Sequence, residues 1–254
     1  MSISTGRCSP RCSLTGVAAT PSACAAIRST APTRRQPPPA ALDYYEVDEV
    51  ERLASCCEQG LHRRPCAIRD PAEVEARHQA DQQDAATFRL LFYTGLRVGE
   101  VLVLRWDDVD LDGRVLFVRR GLSAGVEGLP KGGRPRVVPL STSAVAVLTQ
   151  LGARRDFVSP SDYVLANRIG RRLDLSALRR RYKRACSAAR LRPVRLHGLR
   201  HAAGSLVART SDPVFVRDFL GHSKLSTTDR YVSAKARPEE LERLDRAFVR
   251  RASS

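Results

Sequence analysis

Lysine is scarce in this 254-residue chain, which has 4 lysines against 39 arginines and only 1 methionine and 1 tryptophan. No uninterrupted apolar run approaches the roughly 20 residues needed to cross a bilayer, so the sequence does not predict a membrane protein. The 7 cysteines form no even framework in a short secreted chain, which favours a reduced, soluble, intracellular protein. No Walker-type phosphate loop and no paired carboxylates at metal-site spacing are present, so we expect no cofactor, neither ATP nor a metal ion.

Positive charge is present in large excess, with a net charge of +16. Residues 1–41 carry 5 arginines and no acid, residues 42–90 carry 11 acids and 6 bases, and residues 91–254 carry 32 bases and 16 acids. The planar guanidinium fork suits phosphate oxygens, although codon usage explains an arginine bias equally well. The basic C-terminal two-thirds therefore favours nucleic acid as the partner.

The composition divides the chain into three segments. Residues 1–41 are rich in Ala, Ser, Thr and Pro and are predicted to be a disordered low-complexity tail, with a transit peptide or a misplaced start codon as alternatives. Residues 42–236 show helical periodicity interrupted by the strand-like stretches "RVLFVRR" and "RVVPL". Residues 237–254 predict one more amphipathic helix. The predicted fold class is α+β and mostly α, with a small antiparallel sheet of about three strands.

Helix signals surround the first candidate residue, Arg97. The polar stretch 58–83 predicts a loop with a short helix, and "DAATFRLLFYTG" then predicts a helix capped by Asp84 and ended by Gly95. Since "VGEVLVL" restarts a helix at once, Arg97 is expected in the tight junction between the two helices.

The stretch "LHGLRH" places His197 and Arg200 three residues apart, hence on one face of a helix. Two cation-capable side chains together make a poor structural pair but a good anion clamp. His197 and His201 also have the i, i+4 spacing of a helical zinc pair, but Gly198 stands where a metalloprotease needs Glu. A purely structural histidine is the other alternative.

A second group of metal-capable residues is weaker still. It consists of Cys56, Cys57, His62 and Cys66. Neighbouring cysteines on a helix point apart, and zinc sites usually show paired spacings, so a structural role is favoured.

The last motif, "LGHSKLSTTDRYV", follows a helix that is predicted to begin at Asp212 and end at Gly221. "STTD" predicts a capping box that opens a helix over about 226–234, and this helix carries Tyr231. Read alone, the stretch fits a helix-turn-helix DNA reader, with Tyr231 in the core or on a phosphate.

Four stretches occur in one chain and in a fixed order: "YTGLRVGE", "KGGRPRVVPL", "HGLRH" and "LGHSKLSTTDRYV". Each is unspecific alone, but the ordered set resembles the tyrosine site-specific recombinase, or phage integrase, family. The resemblance covers about residues 42–236, the catalytic domain of that family. It implies a DNA breaking-rejoining enzyme that acts on double-stranded DNA without a cofactor.

The resemblance also implies roles for three cations. Arg97 and Arg200 match the residues that bind the non-bridging oxygens of a scissile phosphate. Lys131, in the turn "PKGGRPR", matches the residue that protonates the departing 5′ oxygen.

Three further residues complete the implied site. His197 matches the general acid/base, His222 a second hydrogen-bond donor to the phosphate, and Tyr231 the nucleophile that forms a 3′-phosphotyrosyl link. A phenol has a pKa of about 10, so its attack needs a proton acceptor and cations that stabilise charge on phosphorus.

The stretch "ALRRRYKRACSAARLR", residues 177–192, predicts a helix with one apolar side and one densely positive side. We expect the positive side to contact the DNA backbone without reading sequence, and a merely solvated face is the alternative. The residues predicted to bind DNA are Arg179, Arg180, Arg181, Lys183 and Arg184.

The terminal stretch "PEELERLDRAFVRR" resembles the family segment that docks on a neighbouring subunit, and packing on its own domain is the alternative. The resemblance implies a homo-tetramer on DNA, with a possible accessory protein, acting on the nucleoid in the cytoplasm and not at a membrane.

Family members usually carry a separate helical core-binding domain before the catalytic domain, and only 41 residues precede the match here. We therefore expect a truncated or minimal recombinase that binds weakly and recombines poorly in isolation. Two other interpretations stay open. One is a non-catalytic DNA-binding remnant, and the other is a nicking-closing enzyme like a type IB topoisomerase.

Overall fold

The computed structural model describes residues 44–131, 133–221 and 238–249, which belong to one compact unit spanning Ala41–Ser254. The helices of these residues are α1 (Val47–Glu58), α2 (Pro71–Tyr93), α3 (Val98–Val101), α4 (Thr142–Gly152), α5 (Leu175–Ala188), α6 (Gly198–Val207), α7 (Pro213–Leu220) and α8 (Pro238–Ala247). The strands are β1 (Val109–Asp110), β2 (Val115–Val118), β3 (Gly121–Ser123), β4 (Val126–Gly128) and β5 (Arg136–Pro139). The predicted tail 1–41 and the predicted helix 226–234 lie outside the described residues.

Helix α1 begins at Val47, with Glu46 as its N-cap. The backbone N–H of Glu46 donates to the carboxylate of Glu49 at 2.9 Å, which satisfies a donor that the helix itself leaves free. Val50 and Leu53 are fully buried on the face that packs against α2. The buried face of this helix thus includes Val47, Val50, Leu53 and Ala54.

Helix α2 is longer than the sequence predicts. It begins at Pro71, with Asp70 as the N-cap that accepts from the N–H of Ala72. The predicted loop is therefore present only up to Asp70, the predicted short helix is the first half of a long one, and the cap predicted at Asp84 is wrong. Residues 71–80 are largely exposed and polar, so this half of the helix has no apolar stripe to reveal it. Asp84 lies in the middle of α2 and is buried.

The second half of α2 is the centre of the core. Phe88, Leu91 and Phe92 are at most 2% exposed and belong to the hydrophobic cluster that unites the helices. The helix stops at Gly95, whose φ of 59° is left-handed and whose missing Cβ would lie 2.9 Å from the Phe219 ring. A glycine at this position lets the end of α2 lie directly against α7.

The sheet is small and antiparallel. A three-stranded sheet has the order β1-β2-β5, with Val118 opposite Arg136, and β3 and β4 form a separate two-stranded hairpin. Lys131 lies in the turn between β4 and β5, as predicted. A mostly helical chain with a small antiparallel sheet confirms the predicted fold class.

Helix α6 crosses the core beside α2 and carries the motif "HGLRH". Leu199, Ala203 and Leu206 are at most 3% exposed and form the face of the helix that packs into the core. Helix α7 begins at its N-cap Asp212 and ends at Gly221 with a left-handed φ of 64°, both as predicted. Its last turn thereby faces the start of α3 and strand β5.

Helix α8 packs against α4 and α6 of its own chain. Phe248 is 5% exposed, and its ring lies edge-on to Phe92 and Tyr93 at centroid distances of 5.4 and 5.0 Å. Asp245 accepts the backbone N–H of Thr142, at the first position of α4, and so supplies a carboxylate to the N-terminus of that helix. Docking of this segment on a neighbouring subunit stays a prediction.

Candidate active site

Arg200 is an almost buried cation at the meeting point of three helices. It projects from α6 and is 4% exposed, and its guanidinium donates to the backbone carbonyls of Gly95 and Leu220. These carbonyls lie at the C-terminal ends of α2 and α7, where the helix dipole favours positive charge. The helix ends thus hold the guanidinium plane in place through two carbonyl contacts.

Arg97 reaches the same place from the N-cap of α3. Its Nη2 donates to the carbonyl of Gly221 at 3.3 Å, one residue beyond the carbonyl that accepts from Arg200. Its side chain is 23% exposed, so it also faces solvent. The two arginines that the sequence predicts to clamp one phosphate therefore converge on adjacent carbonyls at the end of α7.

The electrostatics of Arg200 reflect this convergence. Burial and, to a smaller extent, the positive charges of Arg97 and Arg136 together lower the pKa of Arg200 to about 10, while the negative charge of Glu100 opposes them. At neutral pH the guanidinium remains protonated. Arg97 and Arg200 thus concentrate positive charge at one place, and their contacts fix its position before a ligand binds.

Glu100 is the buried counter-charge of this field, and the sequence-based reading did not single it out. It is 3% exposed and accepts from Arg136 Nη1 at 2.9 Å, from Arg136 Nη2 at 2.7 Å and from the Arg97 side chain at 3.1 Å. Burial raises the pKa of Glu100, but the hydrogen bonds and charges of Arg136 and Arg97 outweigh burial and hold the pKa below its usual value. The sequence did contain a signal for this role. Glu100 is the acid inside the apolar run "VGEVLVL", and a carboxylate buried in such a run requires a cation nearby.

His197 lies at the N-terminal end of α6, near the arginine pair. Partial burial of its ring lowers its pKa, and the neighbouring His201, Arg200, Arg97 and Lys131 lower it further. The imidazole is consequently neutral at pH 7 and able to accept a proton. His201 stands edge-on to it, with ring centroids 4.7 Å apart.

Lys131 is exposed in the β4–β5 turn, close enough for its charge to act on His197. The described part of the chain therefore brings together four of the six residues predicted for catalysis: Arg97, Lys131, His197 and Arg200. The other two, His222 and Tyr231, lie outside the described residues, which break off after Gly221.

Gly221 occupies a position in this site at which the structure favours glycine. A Cβ at this position would lie 2.4 Å from both Cδ and Nε of Arg136, so any other residue would displace that side chain. Its left-handed φ of 64° also favours glycine. Because Gly221 has no side chain, Arg136, which holds Glu100, lies directly beside Gly221, whose carbonyl accepts from Arg97.

The five basic residues predicted to bind DNA divide into two groups. Arg179, Arg180, Lys183 and Arg184 are exposed along α5. Arg181 instead turns inward, and its Nε donates to both carboxylate oxygens of Asp84 at 2.9 and 2.7 Å. Its side chain is only 20% exposed and joins α5 to α2.

His62, considered with three cysteines as a metal-capable group, lies with two aspartates instead. Its Nε2 is 3.0 Å from an oxygen of Asp84 and 3.6 Å from one of Asp81, and all three side chains are buried. Arg63 pairs with both carboxylates, so the aspartates already have cationic partners. This cluster serves as a buried ion-pair network between α1 and α2.

In the described part of the chain, the thiols of that group make no hydrogen bond with the histidine cluster, although Cys57 lies near enough to Asp84 and Asp81 for their charges to act on its pKa. Cys56 and Cys57 are buried in α1, and burial raises the pKa of both thiols, which keeps them protonated and disfavours metal binding. Cys66 is exposed.

Among the described residues, no helix is both long enough and apolar enough to span a membrane.

Residues 46–237 match the family model described as Phage integrase family. Since the match covers well over half of the sequence, this chain belongs to the phage integrase family. The sequence-based prediction of a tyrosine recombinase catalytic domain is thereby confirmed.

Tyrosine recombinases are also the curated proteins that this chain resembles. Tyrosine recombinase XerC of Xanthomonas axonopodis pv. citri (strain 306) is 33% identical over 152 residues, which cover 59% of this chain and 46% of that protein. Tyrosine recombinase XerC of Mycobacterium bovis (strain BCG / Pasteur 1173P2) is 32% identical over 213 residues, which cover 81% of this chain and 62% of that protein. The chain thus spans about half the length of the curated relatives it matches.

Solved structures share the fold. The crystal structure of XerA recombinase is 25% identical, with a TM-score of 0.51, and the likeness covers 82% of this chain and 64% of that one. A lambda integrase tetramer bound to a Holliday junction is 19% identical, with a TM-score of 0.50, and covers 71% of this chain and 47% of that one. The second likeness supports the fold alone.

Proposed function

We propose that this chain is the catalytic domain of a site-specific recombinase that cuts and rejoins double-stranded DNA by transesterification through Tyr231. The observation that carries the proposal is the convergence of Arg97 and Arg200 on the carbonyls of Leu220 and Gly221. Two guanidinium groups held by a common segment can grip two non-bridging oxygens of one phosphate. The side chain of Arg97 is 23% exposed, so this place is open to an anion from solvent.

In the proposed reaction the phenolic oxygen of Tyr231 attacks phosphorus and loses its proton to neutral His197. The bond from phosphorus to the 5′ oxygen breaks, and Lys131 donates a proton to that oxygen. His222 is a further hydrogen-bond donor to the phosphate. The products are a 3′-phosphotyrosyl ester and a free 5′-hydroxyl, and attack by a 5′-hydroxyl of a partner strand reverses the step.

The electrostatics of the site suit this chemistry. The attacking phenol needs an acceptor that is neutral near pH 7, and the lowered pKa of His197 supplies one. Charge that develops on phosphorus meets Arg97 and Arg200, which burial and the buried carboxylate of Glu100 hold in position. One phosphoester replaces another of similar energy, so the exchange requires no nucleotide cofactor.

Duplex DNA is the proposed partner, and exposed Arg179, Arg180, Lys183 and Arg184 of α5 are its proposed backbone contacts. Arg181 contributes through the ion pair that holds α5 on α2. We further propose a homo-tetramer on DNA, with an accessory protein as a possible additional component, acting on the nucleoid in the cytoplasm.

Covalent capture on nicked suicide DNA tests the proposal. A pool of nicked duplexes with random sequence is incubated with the protein, and adducts that survive denaturation are sequenced. We expect adducts that Tyr231→Phe abolishes and that the control Tyr44→Phe retains, since Tyr44 hydroxyl contacts only the exposed side chain of Arg209 among the described residues. No adduct on any duplex would overturn the enzymatic proposal in favour of a non-catalytic DNA-binding protein.

Strand exchange is tested separately. Captured sequences are rebuilt as intact sites on two labelled duplexes, and recombinant products are scored by length. Relaxation of a supercoiled plasmid without any recombinant product would assign a nicking-closing activity instead.

A further inference from the structure

A large basic cavity lies at the opposite end of α2 from Arg200. It has a volume of about 670 Å³, is open to solvent, and lies between the loop after α1, the first turns of α2, the segment around residue 168 and the middle of α5. Seven arginines contribute to its lining, together with Asp70 and Glu73 as the acids. The arginines are Arg63, Arg64, Arg69, Arg77, Arg168, Arg181 and Arg184.

Three of these arginines are neutralised by carboxylates: Arg63 by Asp81 and Asp84, Arg181 by Asp84, and Arg168 by Glu73. Seven arginines against four carboxylates, Asp70 included, leave an excess of three positive charges.

The other four lining arginines form no salt bridge with a carboxylate among the residues that the structure describes, although the charge of Arg77 acts on Glu73. They are Arg64, Arg69, Arg77 and Arg184. Arg64, Arg69 and Arg184 are exposed, and Arg77 donates to the carbonyl of Arg64 at 3.0 Å. Uncompensated guanidinium groups that share one concave surface repel each other and favour an anion between them.

The lining indicates what kind of anion fits. It contains no aromatic ring, so it offers no platform on which a base could stack, and its apolar members are Ala67, Ile68 and Ala80. Guanidinium forks match phosphate oxygens in geometry and charge. The cavity therefore favours phosphate groups recognised without their bases.

Position along α2 relates the cavity to the candidate active site. Ala80 lines the cavity, and Tyr93 ends the helix beside the Gly95 carbonyl that holds Arg200. These 13 residues of helix correspond to about 20 Å along its axis, and the 23 residues from Asp70, which lines the far edge of the cavity, correspond to about 35 Å, close to one turn of B-DNA at roughly 34 Å. Arg184 belongs both to the cavity and to the exposed cationic residues of α5.

We infer that this cavity is a second, sequence-independent binding site for the phosphodiester backbone of duplex DNA, up to about one helical turn from the phosphate held by Arg97 and Arg200. The inference rests on the proposed function for its DNA substrate. The loop after α1 belongs to none of the four family motifs, and the inference gives this loop a role in binding DNA. Arg64 and Arg69 are its outermost cations.

The salt dependence of DNA binding tests the inference. Each phosphate contact contributes a slope of roughly 0.9 to the fall of log K with log salt, so Arg64→Ala combined with Arg69→Ala lowers the slope by about 2. Between 50 and 200 mM salt the wild-type protein then loses about tenfold more affinity than the double variant. The control is Arg209→Ala with Arg246→Ala, which removes two cations from exposed ion pairs elsewhere. Equal slopes in both double variants would overturn the inference.

Cys66 gives a local readout, since its exposed thiol lines the cavity while Cys56, Cys57 and Cys186 are buried. The rate of Cys66 alkylation in the wild-type protein is followed by peptide mass spectrometry, with duplex DNA or with tripolyphosphate at equal phosphate concentration. We expect duplex DNA to slow alkylation several-fold and tripolyphosphate, which offers phosphate oxygens without the length and spacing of a duplex backbone, to slow it less. Protection by tripolyphosphate alone would replace the DNA site with a site for free polyphosphate, and protection by neither would remove the site.

The outcome is separable from that of the proposed function. Covalent capture by the wild-type protein reports the chemistry, while the salt slope and Cys66 protection report the cavity. Adducts without a change in slope would refute the cavity alone. A reduced slope and protected Cys66 without any adduct would refute the chemistry alone.

Discussion

Arg136 holds Glu100 by two hydrogen bonds, Nη1 to Oε1 at 2.9 Å and Nη2 to Oε2 at 2.7 Å, and the same carboxylate accepts from Arg97. One buried negative charge is therefore shared by two cations, one on strand β5 and one at the start of α3. Because Arg136 also packs under Gly221, the pair joins the sheet, α3 and the end of α7. The position of Arg97 thus depends on a residue that need not contact DNA.

Glu100→Gln is expected to destabilise the protein, because it keeps the shape of the side chain but leaves Arg136 and Arg97 without their counter-charge. Removing one partner of a buried ion pair typically costs about 3–5 kcal/mol in the free energy of unfolding. Urea unfolding measures the loss. Glu46→Gln, in an exposed pair with Arg209, is the matched control and should cost less than about 1 kcal/mol. Similar losses in the two variants would contradict the assigned role of Glu100.

The pH dependence of stability gives a second prediction at the same residue. The pKa of Glu100 is lower in the folded protein than its usual value of about 4.3, so its contribution to stability is complete above that value. The contribution is lost as the pH falls through the folded pKa. The difference in unfolding free energy between the wild-type protein and Glu100→Gln should therefore shrink below about pH 4. A difference that stays constant down to pH 3 would show that the carboxylate is not stabilised by its cations.

Arg200→Lys should impair chemistry more than folding. Lysine keeps the charge but cannot reproduce the planar fork that reaches the Gly95 and Leu220 carbonyls, so the phosphate loses a preorganised donor. We expect the rate of covalent adduct formation to fall about 100-fold to 1000-fold. The rate is measured on a captured DNA sequence, with Arg209→Lys as the control. A rate within a few-fold of the wild-type rate would remove Arg200 from the proposed catalytic set.

His201→Gln tests the environment of His197. The neighbouring imidazole is one of the groups that lower the pKa of His197, so its removal should raise that pKa. Below pH 7 a higher pKa leaves less of the neutral form, so the acid side of the pH profile for adduct formation should move to higher pH. Titration of His197 by NMR measures the shift directly, with exposed His78→Gln as the control. An unchanged or lowered pKa would contradict the proposed coupling.

The sequence was most informative where local chemistry determines conformation. Gly95 and Gly221 end helices with left-handed backbone, and Asp212 caps α7, all as the sequence indicated. The junction that holds Arg97 follows from two helices meeting without a linker. These features depend on neighbours in the chain, so the sequence alone was sufficient to predict them.

Tertiary contacts explain what the sequence did not reveal. The first turns of α2 are polar on most sides, and Asp84 resembles a helix cap although Arg181 and His62 bury it in mid-helix. Arg181 lies three residues after buried Leu178 and four before buried Ala185, at the edge of the apolar face of α5. The sequence does not show, however, that Asp84 is the partner that holds it there. Partners about 20 or 100 residues apart in the chain decide these cases, and periodicity does not report them.

The last prediction concerns α8 and distinguishes packing within one chain from docking on a neighbour. Phe248 is 5% exposed between Phe92 and Tyr93, so Phe248→Ala should cost about 3–5 kcal/mol in the free energy of unfolding of the monomer. Val249→Ala is the matched control, because Val249 is 65% exposed and its truncation should change stability by less than about 0.5 kcal/mol. Urea unfolding is measured at several protein concentrations at which light scattering shows a monomer. If α8 instead docks on a neighbouring subunit, Phe248→Ala leaves the monomer as stable as the control and weakens only assembly. A loss that is independent of concentration would establish that the ring completes the core of its own chain.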